Sequence, residues 1–180
     1  MEKALAGGLP AVLFRDKDLP DSEARPLLDA LRAATAARGA YLFVNGRPEL
    51  ARETGADGLH LPEDLARPPA GTWAGPVSVA AHDAAGLDRA RRERAAFALL
   101  SPLFATATHP GAPCLGPEAF RRLAAGSPVP VLALGGITPD NGRHALEAGA
   151  MGLACIDALL GAADPTSEVQ RFLGLFGSRR

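Results

Sequence analysis

Seven short apolar runs, at 11–15, 40–45, 58–61, 76–81, 97–102, 130–134 and 152–156, are separated by longer amphipathic or turn-rich stretches. Parallel strands cannot be joined by tight hairpins; each needs a crossover of about a dozen residues, usually a helix, and this rhythm supplies one. The pattern predicts repeated β-α units, a parallel sheet and helices packed outside it. Between the first two runs Leu27, Leu28, Leu31 and Ala34 recur at spacings of three and four, an apolar stripe on a helix over 22–38. Asp21-Ser22, Asp83 and Thr138-Pro139 mark helix starts, with Pro139 at a first-turn position that needs no N–H. Gly126 and Gly149 mark two helix ends. The Pro-, Ala- and Gly-rich stretch 62–75 is expected to connect without a full helix. The stretch 105–116, ATATHPGAPCLG, reads as a long loop between strand and helix, where a rigid scaffold commonly holds functional groups.

At 180 residues the chain is expected to form one domain spanning 1–180. Nineteen Lys and Arg against twenty Asp and Glu leave a net charge of -1. That supplies no diffuse positive field to draw in nucleic acid or an anionic membrane, so a charged ligand has to be held locally. No apolar run approaches the ~20 residues that span a bilayer, and Met1-Glu2-Lys3-Ala4 lacks the layout of a signal peptide, so a cytoplasmic protein is expected. Cys114 and Cys155 are too few for a disulfide framework and have no metal-ligand spacing. Both read as reduced thiols, Cys155 in the core.

Three constellations carry candidate chemistry. Leu134-Gly135-Gly136 follows an apolar run, and the run ending at Ile156 comes about twenty residues later. Such a pair of turns lets backbone N–H groups approach an anion and form a phosphate cup, although the glycines alone equally permit a tight strand-to-helix turn. Asp157 stands where a phosphate would prefer a hydroxyl or N–H donor, and is expected instead to cap a helix beginning at Ala158. Phe14-Arg15-Asp16-Lys17 places two cations at a strand end, suited to a diphosphate or carboxylate. In the loop, Thr106 and Thr108 can set two hydroxyls on one side, and His109 can donate to the same anion or act as acid or base. Of the other histidines, His60 and His82 are weaker candidates, His60 reading as a hydrogen-bonded residue under a barrel and His144 as a surface residue on a helix.

In this order and spacing the motifs VLFRDKDL, YLFVNGRPELARETGADGLHL, VSVAAHDAAGL, LLSPLFATATHPGAPCLG, VPVLALGGITPDN and AGAMGLACIDALL resemble the thiamine phosphate synthase and TenI family, over about 11–160. The resemblance implies a TIM-type (β/α) barrel. It implies a synthase that joins an aminopyrimidine diphosphate to a thiazole phosphate, releasing diphosphate with help from Mg2+; some TenI relatives isomerise a thiazole carboxylate phosphate instead. Carried over by position, Arg15 and Lys17 lie near the diphosphate, Asn45 touches the pyrimidine or its diphosphate, and Asp64 is the Mg2+ ligand. Ser78 is a pyrimidine-side contact, Thr106 and Thr108 surround the thiazole phosphate, and Gly135, Gly136 and Ile156 form its cup. Lys17 and His109 are the catalytic candidates. The implied partners are small-molecule phosphates and diphosphates, with no nucleic acid and no membrane.

Four ligand positions depart from the synthase pattern. Leu13 replaces a Gln, Gly46 replaces a second Mg2+-ligating Asp, His109 replaces a Lys, and Asp157 stands where a Ser is common. With Gly46 in place, Mg2+ would rely on Asp64, Glu63 and substrate oxygens, as a cation that keeps several waters can. Three readings follow from the resemblance: a divergent synthase, a TenI-like thiazole tautomerase, or a barrel that binds a thiamine-pathway phosphate without turnover. A Gly-Gly corner also suits isomerases and epimerases of sugar phosphates; the loop with Thr106, Thr108 and His109 favours the thiamine readings. A full barrel has eight strands and usually about 200 residues or more, and the first apolar run here matches the family's second. The expectation is a seven-stranded barrel with a gap, or a start that omits the N-terminus, with residues 1–10 the remnant of the first helix. Open strand edges are a route to a homodimer.

Overall fold

In a computed structural model, residues 1–106, 111 and 113–177 are described. Each of the seven apolar runs contains a strand: β1 (Ala11–Phe14), β2 (Tyr41–Asn45), β3 (Gly58–Leu61), β4 (Val77–Ala81), β5 (Phe97–Leu100), β6 (Val131–Ala133) and β7 (Gly152–Leu153). All neighbours are parallel and the strands lie side by side in chain order, so every C-terminal strand end opens onto the same mouth. Among the described residues β1 and β7 do not pair with each other, and the curled α/β sheet is open there, the gap that a count of seven anticipates. The helices are α1 (Glu2–Ala6), α2 (Asp21–Ala36), α3 (Pro48–Glu53), α4 (Ala84–Arg92), α5 (Gly116–Ala125), α6 (Gly142–Glu147), α7 (Asp157–Leu160) and α8 (Pro165–Gly174). None is long and apolar enough to cross a membrane.

The pleat sorts the strand residues onto two faces. Leu42 and Val44, Leu59 and Leu61, Val77 and Val79, Ala98 and Leu100, and Val131 and Ala133 are buried in one cluster with Leu28, Leu50, Leu87 and Phe120 of the helices. Each Val, Leu or Phe withdrawn from water here contributes about 1.5–3 kcal/mol. On the inner face Phe43 meets Phe97 edge to face, with ring centroids 5.5 Å apart. Gly58 lies beneath Phe43; a Cβ there would come within 2.1 Å of the ring.

One local feature differs from the sequence expectation. Helix α6 starts at Gly142, after a turn in which the Thr138 N–H donates to Asn141 Oδ1 at 2.9 Å. Thr138-Pro139 therefore opens a turn, because Asn141 satisfies the backbone that a helix would otherwise have to. Asp83 does cap α4, accepting from the Gly86 N–H at 2.9 Å, and 62–75 forms no helix. Residues 2–6 are helical, and α1 packs on α8: Thr166 Oγ1 donates to the Lys3 carbonyl at 2.8 Å. A Cβ on Gly7 would stand 2.7 Å from the Thr166 carbonyl oxygen, so only glycine allows this approach.

Candidate functional site

The mouth has a basic corner, an acidic loop and a glycine-built cup. At the basic corner Arg15 and Lys17 follow β1, both exposed and, among the described residues, without hydrogen-bond or ion-pair partners. Their loop is nevertheless held in place. Asp16 Oδ1 accepts from the N–H groups of Asp18 and Leu19 at 3.2 and 3.0 Å. Arg47 reaches across from the loop after β2, donating to the carbonyls of Asp16 and Leu19 at 2.6 Å each and to Asp21 Oδ1 at 2.9 Å. A fixed loop carrying two unpartnered cations is prepared for an anion, since its charges have no internal ion pair to break.

Beside it Asn45, His60 and Ser78 stand in register across β2, β3 and β4 on the inner face. His60 is 4% exposed and its Nδ1 lies 2.9 Å from Ser78 Oγ. Burial, and then the nearby charges of Arg15 and Arg89, push the His60 imidazole down to about 4, so it is neutral near pH 7. Ser78 is 1% exposed and engaged with His60, which puts it in the layer under the mouth. Asn45, the last residue of β2, is half-buried and its side-chain amide has no partner among the described residues. Leu13 also lies on this inner face, at the edge of the sheet.

The acidic loop follows β3. Glu63 and Asp64 are exposed, and Asp64 has no hydrogen-bond or ion-pair partner among the described residues. Glu63 Oε1 lies 3.9 Å from His82 Nε2. His82 Nδ1 is 2.6 Å from the Ser101 carbonyl oxygen, which can only accept, so that nitrogen carries the hydrogen and Nε2 is turned towards Glu63. Gly46, with φ of +68°, directs its Cβ position at Pro62 Cγ, 3.6 Å away, at the root of the same loop. No group of three or more His, Cys, Asp and Glu gathers at metal-ligand distance among the described residues. Mg2+ binds through one or two carboxylates, several waters and substrate phosphates. The unpartnered carboxylate of Asp64, with Glu63 adjacent, fits that donor set.

Across the mouth, residues 134–138, 105–106 and 155–158 enclose a cavity of about 220 Å3. Gly135 and Gly136 have φ of +94° and +63°, and a Cβ would lie 2.7 Å from Pro102 Cα at the first and 2.3 Å from the Ala105 carbonyl oxygen at the second. Both the conformation and the space therefore demand glycine. Asn141 Nδ2 donates to the Gly136 carbonyl at 2.8 Å and fixes the turn from behind. Thr106 and Ile156 are on the cavity wall; Thr108 and His109 lie outside the described residues.

Two expectations fail at this corner. Cys155 is half-buried on the cavity wall rather than in the core, its thiol pushed up to about 11 by burial and then by Glu168 and Asp157. Asp157 is itself the first residue of α7, whose N-cap is Ile156, and it makes no capping hydrogen bond. It borders both the cup and a neighbouring cavity of about 430 Å3 that Asp164 and Glu168 also line. The helix starts one residue earlier than expected, which turns a cap into a wall residue.

Asn141 and Arg47 do structural work at the mouth that the sequence reading left unassigned. Asn141 had a local signal in Thr138-Pro139-Asp140-Asn141, whose polar residues can bond their own turn. Arg47 had none, because its acceptors are carbonyls 28 and 31 residues away.

The family described as thiamine monophosphate synthase matches residues 1–159. The thiamine-phosphate synthase of Moorella thermoacetica is 37% identical over 174 residues, covering 93% of this chain and 82% of the relative. A putative thiamine-phosphate synthase 2 of Aquifex aeolicus is 36% identical, with 89% of this chain and 88% of the relative covered. The solved structure of thiamine phosphate pyrophosphorylase from Pyrococcus furiosus superposes with a TM-score of 0.86 at 27% identity, over 98% of this chain and 87% of that one.

Proposed function

The chain belongs to the thiamine monophosphate synthase family, and from that premise we propose that it is a transferase joining an aminopyrimidine diphosphate to a thiazole phosphate with release of diphosphate. The observation that supports this most is the pairing of two different anion sites on one mouth: the unpartnered cations Arg15 and Lys17 on one side, the glycine cup on the other. A substrate pair with a diphosphate on one member and a monophosphate on the other needs such a pairing.

In this reading Arg15 and Lys17 bind the diphosphate, the Arg15 fork giving direction and the Lys17 ammonium a compact charge. The Asn45 amide orients the pyrimidine. Gly135 and Gly136 offer backbone N–H groups to the thiazole phosphate, with Thr106, Thr108 and Ile156 completing its surroundings. Asp64, with Glu63 beside it, would hold Mg2+, which when bound supplies charge neutralisation to a departing diphosphate. His109 is assigned from the sequence as a donor to the phosphate or as an acid or base. The chain needs no nucleophile of its own, because the thiazole nitrogen attacks the pyrimidine methylene carbon and the diphosphate leaves with the electrons of the broken C–O bond. Its contribution is to hold two reactants in line, the kind of positioning that lowers a barrier by several kcal/mol, about 7–11 in the best oriented cases.

The partners in this reading are small phosphates and diphosphates, a second copy of the chain at the open sheet edges, and neither nucleic acid nor membrane; the setting is the cytoplasm. The test is incubation of the protein with both substrates and Mg2+, followed by detection of thiamine phosphate. Product formation is expected. Absence of product together with absence of Mg2+-dependent binding of the pyrimidine diphosphate would sink the proposal, and solvent deuterium entering a thiazole carboxylate phosphate under the same conditions would replace it with a tautomerase.

A further inference from the structure

We propose that Arg89, on the outer helix α4, is a positioning residue that fixes the two ends of the 62–65 turn and so sets where Glu63 and Asp64 project. The inference rests on the reading of Asp64 as the Mg2+ ligand and assigns a role to a residue outside the mouth.

One nitrogen of Arg89, Nη2, donates to the Pro62 carbonyl at 2.9 Å and to the Leu65 carbonyl at 2.5 Å. Those two acceptors flank Glu63-Asp64 in sequence. The Pro62 carbonyl also accepts the Leu65 N–H at 3.2 Å, which closes the turn, so Arg89 binds the turn at the point where its two ends meet. The side chain is only 14% exposed, and its Nε stands 4.0 Å from Glu93 Oε1. Glu93 extends the arrangement, because its Oε2 accepts the Arg67 N–H at 3.1 Å while the Arg67 guanidinium bonds the Glu93 carbonyl. The loop is thus tied to α4 at 62, 65 and 67, and neither the Glu63 nor the Asp64 carboxylate takes part in the ties.

Arg89 Nη1 is buried and has no hydrogen-bond partner among the described residues. A buried guanidinium with an idle donor is a poor way to stabilise a fold, because an apolar side chain of similar length would fill the space without that desolvation penalty. What the guanidinium adds is direction. A flexible turn samples many orientations of Asp64; a turn held at both ends samples few, and a ligand misplaced by about 1 Å can lose about a hundredfold in rate.

The test compares the full-length wild type with Arg89→Met and Arg89→Lys. Amide hydrogen exchange across 62–67, measured without Mg2+ or substrate, reads the ties directly. The Mg2+ concentration for half-maximal binding of the pyrimidine diphosphate, measured by calorimetry with no turnover, reads the placement of Asp64. For Arg89→Met, exchange at Leu65 and Arg67 is expected to rise at least tenfold and the Mg2+ half-saturation to rise about tenfold, with binding of the thiazole phosphate within twofold of wild type. Arg89→Lys, which keeps one donor on a shorter reach, should recover part of both effects and also serves if the Met variant does not fold. Unchanged exchange in 62–67 overturns the proposal, as does faster exchange with an unchanged Mg2+ half-saturation. If the wild type itself shows no Mg2+-dependent binding, the metal reading of Asp64 fails and the proposed role falls with it, while the exchange data still report whether Arg89 holds the turn.

Discussion

His60 Nδ1 and Ser78 Oγ lie 2.9 Å apart on adjacent parallel strands, directly opposite one another in register. This buried polar pair makes the protein sensitive to acid. His60 is held at about 4 in the folded state against an ordinary value of 6.5, chiefly by burial. The unfolded chain therefore takes up a proton first as pH falls. The stability that follows from keeping His60 neutral is fully present above pH 6.5 and is lost progressively as pH falls towards 4. The loss is on the order of 3 kcal/mol. Urea unfolding at pH 7.5 and pH 4.5 should show a larger drop in wild type than in His60→Gln; equal drops would place the acid sensitivity elsewhere.

At the cup, Gly136→Ala should be costly for two independent reasons. Its φ is +63°, and the new methyl would lie 2.3 Å from the Ala105 carbonyl oxygen. Stability should fall by about 2 kcal/mol or more, as expected where strain and a backbone clash combine. The KM for the thiazole phosphate should rise by at least tenfold, while the KM for the pyrimidine diphosphate changes little. Thermal unfolding and steady-state kinetics separate the two effects.

Asp157→Ser removes a carboxylate from the wall of the same cup. Two like charges about 4 Å apart repel by about 1 kcal/mol in water and by several at the lower effective dielectric of a protein surface. Because Asp157 is exposed, the low end applies, and the thiazole phosphate should bind about threefold to tenfold tighter. The gain should shrink in high salt. Affinity that is unchanged at low salt would mean that the carboxylate points into the neighbouring cavity.

Arg15→Met and Lys17→Met should weaken the pyrimidine diphosphate specifically. Neither cation has a partner among the described residues, so the melting temperature should stay within about a degree or two, as is usual for surface substitutions worth under about 0.5 kcal/mol. The KM for the diphosphate substrate should rise at least tenfold in each variant. A loss shared equally by both substrates would contradict the division of the mouth into two anion sites.

The sequence reveals what is local. All seven strands fall within apolar runs, and the Asp83 cap lies where a single residue type signals a helix start. Glycine at 135 and 136 is readable because the requirement is a backbone one that no other residue meets easily. What escaped the reading depends on partners distant in the chain or on phase. Ser78 lies under the mouth because its register opposes His60. Asp157 fails as a cap because α7 begins one residue early. Arg47 and Arg89 bond carbonyls 24 to 31 residues away, and no spacing rule announces a side chain whose acceptors are another loop's backbone.

The hydrogen bond from Thr166 to the Lys3 carbonyl joins positions 163 residues apart. Seen from inside, the sheet is interrupted between β1 and β7, and the basic corner and the cup stand at opposite ends of a row of six pairings. Seen from outside, α1 and α8 clasp the interruption like a buckle. A methyl group at Gly7, 2.7 Å from the Thr166 carbonyl oxygen, should therefore prise that buckle open and lower stability without touching either anion site.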